Sequence, residues 1–516
     1  MINNEGCHVT HYHGQIHPGH HAQGCRRDGD AQRIGQLVWL FFLKIWDDRE
    51  QEQELVEPGF QSPLVDVRWQ EGDETRTAKD LRWRSWAADP EGITGEGLLD
   101  FANNTLFPAL KSLEVGPKVE GDSTAARMAD LLRRRRQLIR SIFVDAYQYM
   151  KNGTLLRQVI NKVQADIDFN DSKNRHLFGE IYESLLRDLQ SAGNAGEYYT
   201  PRAVTEFAVN RINPKLGETI LDPACGTGGF LSCSIEHLRK QAKTPDQERQ
   251  IQASIRGVEK KPLPHLLCTT NMIVHGIEIP TQIRHDNTLS RPLREYGPKD
   301  RVDIILTNPP FGGMEEDGIE QNFPSGYRTR ETADLFLVLI MTLLKDGGRA
   351  AVVLPDGTLF GEGIKTRIKE DLLTTCNLHT IVRFPKGVFA PYTSINTNLL
   401  FITKGEPTKK VWYYEHPYPE GYKSYSKTKP MRFEEFFPEV AWWYKRVESE
   451  QAWCVSIEDI QARAYNLDIK NPNAPELSHE DPDVLLERYA QARAEADRIR
   501  EELKAALSGC LLRGDQ

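Results

Sequence analysis

The chain has 516 residues, more than one hydrophobic core usually organises, so we expect two or three domains. Hydrophobic residues make up 39% and charged residues 27%, which is ordinary for a soluble globular protein. The formal net charge is −9, whereas a protein that holds duplex nucleic acid alone tends to be basic. A nucleic-acid function would need a local basic surface or a partner. The basic run at residues 133–136 could contact phosphate, but a solvated helix face is its commoner meaning.

Cysteine usage and hydropathy indicate the compartment. The eight cysteines are irregularly spaced with no C-x-x-C pair, which fits reduced thiols better than a disulfide framework. No stretch approaches the roughly 18 apolar residues of a membrane span, and the His-rich N-terminus lacks the pattern of a signal peptide. We therefore predict a cytoplasmic protein with no membrane contact.

The first third of the chain divides into a tail and a helical domain. Residues 1–32 are rich in His and Cys at spacings that match no metal-binding motif, so a disordered tail without a metal is predicted. From about Ile34 apolar residues recur at spacings of three and four, which is typical of a helix face. Residues 33–165 are assigned to an all-helical N-terminal domain. Further helices are predicted over 125–152, 154–166 and 175–191.

From Thr219 strands and helices alternate, which predicts a mostly parallel sheet covered on both faces. Only a loop, residues 385–396, separates the last two strand-like runs, so these two are expected to pair antiparallel. This α/β domain is assigned to residues 166–445. Residues 446–516 form a C-terminal region that ends in a polar helix from about residue 483. The seven strand-like runs are 219–222, 255–259, 283–286, 302–307, 350–355, 380–384 and 397–403.

A glycine-rich motif follows the first of these strands. The segment Asp222-Pro223-Ala224-Cys225-Gly226-Thr227-Gly228-Gly229-Phe230 stands between a strand and a helix. Glycines there let a ligand approach the backbone, and the helix N-terminus offers free N–H groups. This is the general position of a nucleotide-cofactor crevice at the carboxyl edge of a parallel sheet. Asp222 would repel a phosphate, and it suits instead the ammonium or sulfonium of S-adenosylmethionine.

Acidic and polar residues end the next two strands. Glu259 ends the second strand, where an acidic side chain can accept hydrogen bonds from ribose hydroxyls. Asp286 and Asn287 end the third, where a polar side chain could read the adenine amino group of the cofactor. Together with Asp222 these residues predict an S-adenosylmethionine pocket. The predicted fold class is therefore a seven-stranded, Rossmann-like α/β domain.

The motif Asn308-Pro309-Pro310-Phe311 follows the fourth strand and indicates the reaction. An aromatic amine such as adenine N6 is a poor nucleophile, because its lone pair is delocalised into the ring. Asn308 Oδ1 and the Pro309 carbonyl could each accept one N–H of that amine and free the lone pair, while the prolines fix the loop. No His or Lys base is then needed. Phe311 would stack on the base once it is flipped out of the duplex.

Several longer segments resemble the modification (methyltransferase) subunit of type I restriction–modification systems, from about Asp28 to the end. They are GDAQRI (29–34), LKIWDD (43–48), GTLLRQVI (153–160), LQSAGNAGEYYTPR (189–202) and YNLDIKNP (465–472). The family usually opens with a short helix rich in Leu and Trp, and here the His-rich stretch replaces it.

The resemblance implies a seven-stranded class I methyltransferase domain behind a helical N-terminal domain, with motifs in the gamma order of amino-methyltransferases. It also implies a complex in which two modification subunits join one specificity subunit and a restriction subunit can be added. Base recognition would belong to the specificity subunit, onto which the C-terminal helix would dock. A cofactor-binding lead-in is implied at Glu197, Tyr198, Tyr199, Thr200, Pro201 and Arg202.

Three alternatives stay open. The same two acceptors could hold the N4 amine of cytosine. A protein glutamine methyltransferase could activate its amide with a similar loop, although such enzymes lack a large helical domain ahead and a long helix behind. A non-catalytic assembly subunit is disfavoured, because Asp222, Glu259, Asn308 and Phe311 are all present.

Overall fold

A computed structural model describes residues 26–169, 179, 182–188, 199–311, 313–426, 428–474 and 482–511, with side chains between residues 35 and 505. The first 25 residues of the predicted tail lie outside this range, as do Glu197 and Tyr198 of the lead-in. Of the helix predicted over 175–191, residues 182–188 are described and helical. The chain divides into two compact units, one ending at Lys470 and the other beginning at Asn471.

The N-terminal domain is built around one long helix, α1 (Arg26–Val56), which begins inside the segment predicted as a tail. Its side chains from Val38 to Asp48 are all buried, so this part of the helix forms the centre of the domain core. Its buried charged side chains have ion-pair or hydrogen-bond partners, as in the 2.6 Å contact of Lys44 Nζ with Asp48 Oδ1. The surrounding helices are α2 (Trp83–Trp86), α3 (Gly95–Phe101), α4 (Phe107–Lys111), α5 (Thr124–Phe143) and α6 (Gly153–Asp166).

The N-terminal domain is not all-helical, contrary to the sequence prediction. β1 (Val65–Glu71) and β2 (Glu74–Asp80) form an antiparallel hairpin. Val67 and Trp69 of β1 are buried in the helical core, whereas most of β2 is exposed. Because β2 carries polar residues on both faces, the pair lacks the apolar alternation on which recognition of a hairpin depends.

The basic run on α5 serves the fold of the N-terminal domain. Arg135 is buried and lies 3.3 Å from a carboxylate oxygen of Glu57, while Arg133 pairs with Asp130 one turn earlier on the same helix. Two of the four arginines are therefore engaged within the domain, and neither sequence interpretation of the run holds for Arg135.

The second half of the chain carries a mixed sheet in the order β5-β4-β3-β6-β7-β9-β8-β10-β11. Strands β9 and β11 run opposite to the other seven. The bounds are β3 (Ile220–Asp222), β4 (Ile255–Glu259), β5 (Ile283–His285), β6 (Val302–Thr307), β7 (Leu344–Pro355), β8 (Cys376–Arg383), β9 (Thr397–Lys404), β10 (Lys410–Glu415) and β11 (Ala452–Ser456).

Helices cover both faces of this sheet. Successive residues of central β6 alternate between two apolar cores: Ile304 packs in the core that contains Phe207, and Ile305 packs in the core that contains Leu337. The helices are α7 (Arg202–Ile212), α8 (Gly229–Arg239), α9 (Pro245–Ser254), α10 (Pro262–Val274), α11 (Thr332–Leu343), α12 (Asp356–Phe360), α13 (Ile364–Thr375), α14 (Phe437–Tyr444) and α15 (Ile457–Ala462).

The sheet has nine strands, not the seven predicted. All seven predicted runs form strands, and the last two of them, β8 and β9, pair antiparallel as expected. β10 and β11 extend the sheet beyond β8, and Tyr413 stacks on Trp453 across them with 5.2 Å between ring centroids. The sequence does not predict β10 and β11, because aromatic and charged residues are mixed in this part of the chain. The domain therefore continues past its predicted end at residue 445.

The second unit contains α16 (Pro482–Leu511), which agrees with the predicted polar helix. Its side chains are exposed over 482–505, including those of Leu486, Tyr489 and Leu503. None of the helices in the described part of the chain combines the length and apolar character needed to cross a bilayer.

Candidate active site

The predicted site residues gather at the carboxyl edge of the central strands. β3 pairs with β4 on one side and with β6 on the other, so the strand order reverses at β3. In open α/β sheets, ligands bind in the crevice at such a reversal. Residues 222–229 leave β3 and residues 308–311 leave β6, so the glycine loop and the Asn-Pro-Pro-Phe loop share this crevice.

Two glycines and a neighbouring helix shape the glycine loop. Gly226 and Gly228 have φ values of 51° and 82°, in the left-handed region that favours glycine. A Cβ on Gly228 would lie 2.8 Å from Cys268 Sγ, so α10 leaves no room for a side chain there. The Asn271 Nδ2 of the same helix donates to the Thr227 carbonyl at 3.0 Å. The loop backbone is therefore held in one conformation.

Glu259 is buried and is bound to the glycine loop. Its Oε2 accepts the N–H of Gly226 at 3.0 Å, and its Oε1 accepts the N–H of Lys261 at 2.8 Å. Each carboxylate oxygen can accept more than one hydrogen bond. The carboxylate can therefore hold the loop and also accept hydrogen bonds from the hydroxyl groups of a ligand.

Asp222 lies at the base of the crevice, almost fully buried, with Oδ1 accepting the N–H of Ala224 at 3.1 Å. Burial, helped by the nearby Glu259 carboxylate, raises the pKa of Asp222 to about 7. A nearby positive charge favours the ionised form of such a carboxyl group. This part of the crevice therefore suits a cationic ligand and disfavours a phosphate.

Asp286 and Asn287 follow β5. The two side chains differ in their hydrogen bonds to other protein groups and in their exposure. Asn287 Oδ1 accepts the N–H of Leu289 at 3.0 Å, and its Nδ2 donates to Glu315 Oε2 at 3.3 Å. The Asp286 carboxylate is half exposed and lies 3.7 Å from Arg284. Asp286 is therefore the better placed of the two to meet a ligand.

Asn308 follows the end of β6, and the two polar atoms of its side-chain amide have different surroundings. Its Nδ2 donates to Thr200 Oγ1 at 3.0 Å. Its Oδ1 is buried and has no hydrogen-bond partner within the described residues. Buried polar groups in proteins are normally paired, so an unpaired acceptor in a crevice marks a place for a donor from a ligand. Pro309 next to it is buried, and Pro310 is exposed.

Phe311 contacts a second aromatic ring across the crevice. Its ring packs edge-to-face against Phe389, with 5.7 Å between centroids and 88° between planes. Phe389 is buried in the loop between β8 and β9, whereas Phe311 remains partly exposed. Phe389 thus fixes Phe311 while leaving part of its surface accessible.

The described lead-in residues do not all face the crevice. The Tyr199 hydroxyl donates to Glu183 Oε1 at 2.9 Å, and Arg202 forms an ion pair with Glu236. Pro201 is buried at the start of α7. The Thr200 hydroxyl is hydrogen-bonded to Asn308, so this lead-in residue also contacts the Asn-Pro-Pro-Phe loop.

Sequence reasoning missed Glu315, a buried carboxylate shortly after Phe311. Its Oε2 lies 3.2 Å from Lys260 Nζ and 3.3 Å from Asn287 Nδ2, and its Oε1 accepts the Thr332 hydroxyl at 3.4 Å. It ties the segment after the Asn-Pro-Pro-Phe loop to the residues that follow β4 and β5. Glu315 is one of several acidic residues in a polar loop, and no sequence motif distinguishes it from the others. Its role is visible only from these contacts.

Similarity to known proteins covers both domains. Residues 173–481 match the family model described as N-6 DNA Methylase, and residues 27–163 match the HsdM N-terminal domain. The chain is 58% identical over 492 residues to the EcoEI type I restriction enzyme methylase subunit of Escherichia coli, covering 94% of each. The chain belongs to the family of type I restriction enzyme methylase subunits.

Solved structures of proteins from type I restriction systems agree with this membership. A Vibrio vulnificus YJ016 protein, described as a type I restriction enzyme modification subunit, superposes with a TM-score of 0.72 at 45% identity, covering 87% of this chain and 94% of that one. A chain from a type I restriction–modification system gives a TM-score of 0.72 at 34% identity, covering 93% and 94%. The family resemblance seen in the sequence is therefore confirmed over nearly the whole chain.

Proposed function

We propose that this methylase subunit transfers a methyl group from S-adenosylmethionine to the N6 amine of adenine in DNA. The observation that carries the proposal is the Asn308 amide oxygen at the end of β6, which is buried and has no hydrogen-bond partner among the residues that the structure describes. A base amine supplies the N–H donor that this oxygen lacks.

The crevice offers the chemistry that S-adenosylmethionine needs for binding. Asp222 would lie near its cationic ammonium or sulfonium, and Glu259 would accept its ribose hydroxyls while holding Gly226. The half-exposed carboxylate of Asp286 would accept a hydrogen bond from the adenine amino group of the cofactor. When bound, the cofactor supplies an electrophilic methyl group on its sulfonium.

The protein groups would activate the target amine without removing a proton first. Asn308 Oδ1 and the Pro309 carbonyl accept hydrogen bonds from the two N–H groups of the target amine. These bonds pull the nitrogen toward a tetrahedral geometry and free its lone pair. With S-adenosylmethionine held by Asp222 and Glu259, this lone pair would accept the methyl group, the carbon–sulfur bonding pair would stay with sulfur, and the extra proton of the amine would leave to solvent. The partly exposed Phe311, fixed by Phe389, would stack on the flipped base. These acceptors suit either an adenine or a cytosine amine, and the N-6 description of the family favours adenine.

The partners follow from the family and from α16. We propose that two copies of this subunit join one specificity subunit, and that a restriction subunit can bind the resulting complex. Apolar side chains on α16, including Leu486, Tyr489 and Leu503, are exposed along one stripe of a charged helix. Such a stripe is typical of helix-in-groove or coiled-coil docking. The specificity subunit would then supply the base recognition that an acidic chain lacks.

Asn308→Ala tests the catalytic assignment. The variant should bind S-adenosylmethionine normally, because the substitution removes an acceptor for the amine and not a cofactor contact. Methylation of cognate DNA by the assembled complex should fall on the order of 100- to 1000-fold, the effect of removing one preorganised transition-state partner. Asn103→Ala, at an exposed asparagine of the N-terminal domain, is the matched control and should retain activity. Near-normal methylation by Asn308→Ala would overturn the proposal.

A further inference from the structure

The amide of Asn308 can take two orientations, and only one of them supports the proposed reaction. With Oδ1 toward the target amine, the amide accepts an N–H bond. Turned over, it presents Nδ2, and two donors would face each other. In the productive orientation Nδ2 points away from the base and needs an acceptor of its own, because an unpaired buried N–H group is unfavourable. The reaction therefore depends on what lies behind Nδ2.

Thr200 provides that acceptor. Its hydroxyl oxygen lies 3.0 Å from Asn308 Nδ2, although the two residues are 108 positions apart in the sequence. The Thr200 carbonyl oxygen lies 3.8 Å from where a Cβ on Gly229 would be, so Thr200 also lies close to the start of α8 beside the glycine loop. The residue thus stands between the two loops that form the crevice.

We propose that Thr200 is a positioning residue for methyl transfer. Its hydroxyl accepts from Nδ2 and so pairs and fixes the Asn308 amide in the orientation that leaves Oδ1 for the target amine. Loss of the hydroxyl leaves Nδ2 unpaired in this productive orientation, which raises its free energy and lowers the fraction of molecules that can activate the base. The inference rests on the proposed role of Asn308, and it gives Thr200 a task in the chemical step that its place in a cofactor-binding lead-in does not imply.

A positioning role and a cofactor-binding role predict different kinetics. If Thr200 acts through Asn308, its loss should lower the rate of methyl transfer at saturating S-adenosylmethionine and leave the dissociation constant of the cofactor nearly unchanged. If Thr200 only contacts the cofactor, the dissociation constant should rise and the saturated rate should persist. A general packing role would affect thermal stability and would not discriminate between hydroxyl and methyl groups.

The experiment uses the complex of this chain with its specificity subunit in single-turnover methylation of cognate DNA. Thr200→Val has nearly the same shape and no hydroxyl, and its rate should fall roughly 10- to 100-fold, the range for leaving a buried polar group unpaired. Thr200→Ser keeps the hydroxyl and should stay within about threefold of the wild-type rate. Thr200→Ala is a second variant without the hydroxyl, should the valine variant fail to fold, and it should behave like Thr200→Val.

Coupling to Asn308 completes the test. In an Asn308→Ala background, Thr200→Val should lower the rate by less than about twofold, because no amide remains to be oriented. Equal losses in the wild-type and Asn308→Ala backgrounds would overturn the inference, as would a normal rate for Thr200→Val or an equal loss for valine and serine. High activity of Asn308→Ala alone would instead refute the proposed function, so the two failures are distinguishable.

Discussion

The affinity for S-adenosylmethionine should fall as the pH drops below neutrality, and Asp222 should be the cause. Burial raises the pKa of Asp222 to about 7 in the ligand-free protein. Near pH 7 a large part of the molecules therefore carries a neutral, protonated carboxyl group. A cationic ligand favours the ionised form, so its binding releases a proton from Asp222. As the pH falls, protons compete with the ligand and the affinity decreases.

The size of the effect follows from the ionised fraction of Asp222. With a pKa of about 7, this fraction falls from about 0.5 at pH 7 to about 0.09 at pH 6, so an affinity that requires the anion falls about fivefold. Each further pH unit adds about tenfold, or about 1.4 kcal/mol. The measurements should stay below pH 7.5, because α-amino groups titrate near about 7.7–8.0 and the ligand must keep its ammonium charge.

Calorimetry between pH 5.5 and 7.2, in buffers of different ionisation enthalpy, gives both the dissociation constant and the protons released. The wild-type protein should release about half a proton at pH 7. Asp222→Asn removes the charge with little change in size, and it should bind more weakly with a dissociation constant that does not vary over this range. A pH-independent affinity of the wild-type protein, or a slope that persists in Asp222→Asn, would refute the reasoning.

The remaining predictions concern the ribose end of the crevice and the C-terminal helix. Glu259→Ala should weaken S-adenosylmethionine binding by about 1.5–3 kcal/mol in calorimetry, the scale of hydrogen bonds to a charged group, and Glu259→Gln should lose less because it keeps one acceptor. An unchanged dissociation constant for the alanine variant would limit Glu259 to holding the glycine loop. Deleting residues 482–516 should abolish co-purification with the specificity subunit and preserve cofactor binding, since α16 belongs to a separate compact unit. A truncated protein that still assembles and methylates a defined site would place the docking surface elsewhere.

The edge of the sheet that carries the site could be predicted from the sequence. Buried parallel strands are nearly continuous apolar runs, and β3, β4 and β6 each lead to a polar residue at the carboxyl end, as Ile304 to Leu306 lead to Asn308. Because parallel strands place their carboxyl ends together, Asp222, Glu259 and Asn308 could be assigned to one crevice without knowledge of the packing.

Other features depend on contacts that leave no local pattern. β10 was not predicted, because Trp412 and Tyr413 lie among charged residues and the strand is recognisable only when it pairs with β8. The family resemblance assigns the whole lead-in to cofactor binding, yet its successive side chains point in different directions just before a helix. Tyr199 therefore contacts Glu183 while Thr200 contacts Asn308. The orientation of an amide is set by such neighbours and not by the motif that contains it.

Identification of the methylated base tests the central claim most directly. DNA carrying the cognate site would be incubated with the assembled complex and isotopically labelled S-adenosylmethionine, then digested to nucleosides and analysed by mass spectrometry. We expect the label in N6-methyldeoxyadenosine, and its loss when the complex contains Asn308→Ala. Label in N4-methyldeoxycytidine, or in protein and not in DNA, would contradict the account.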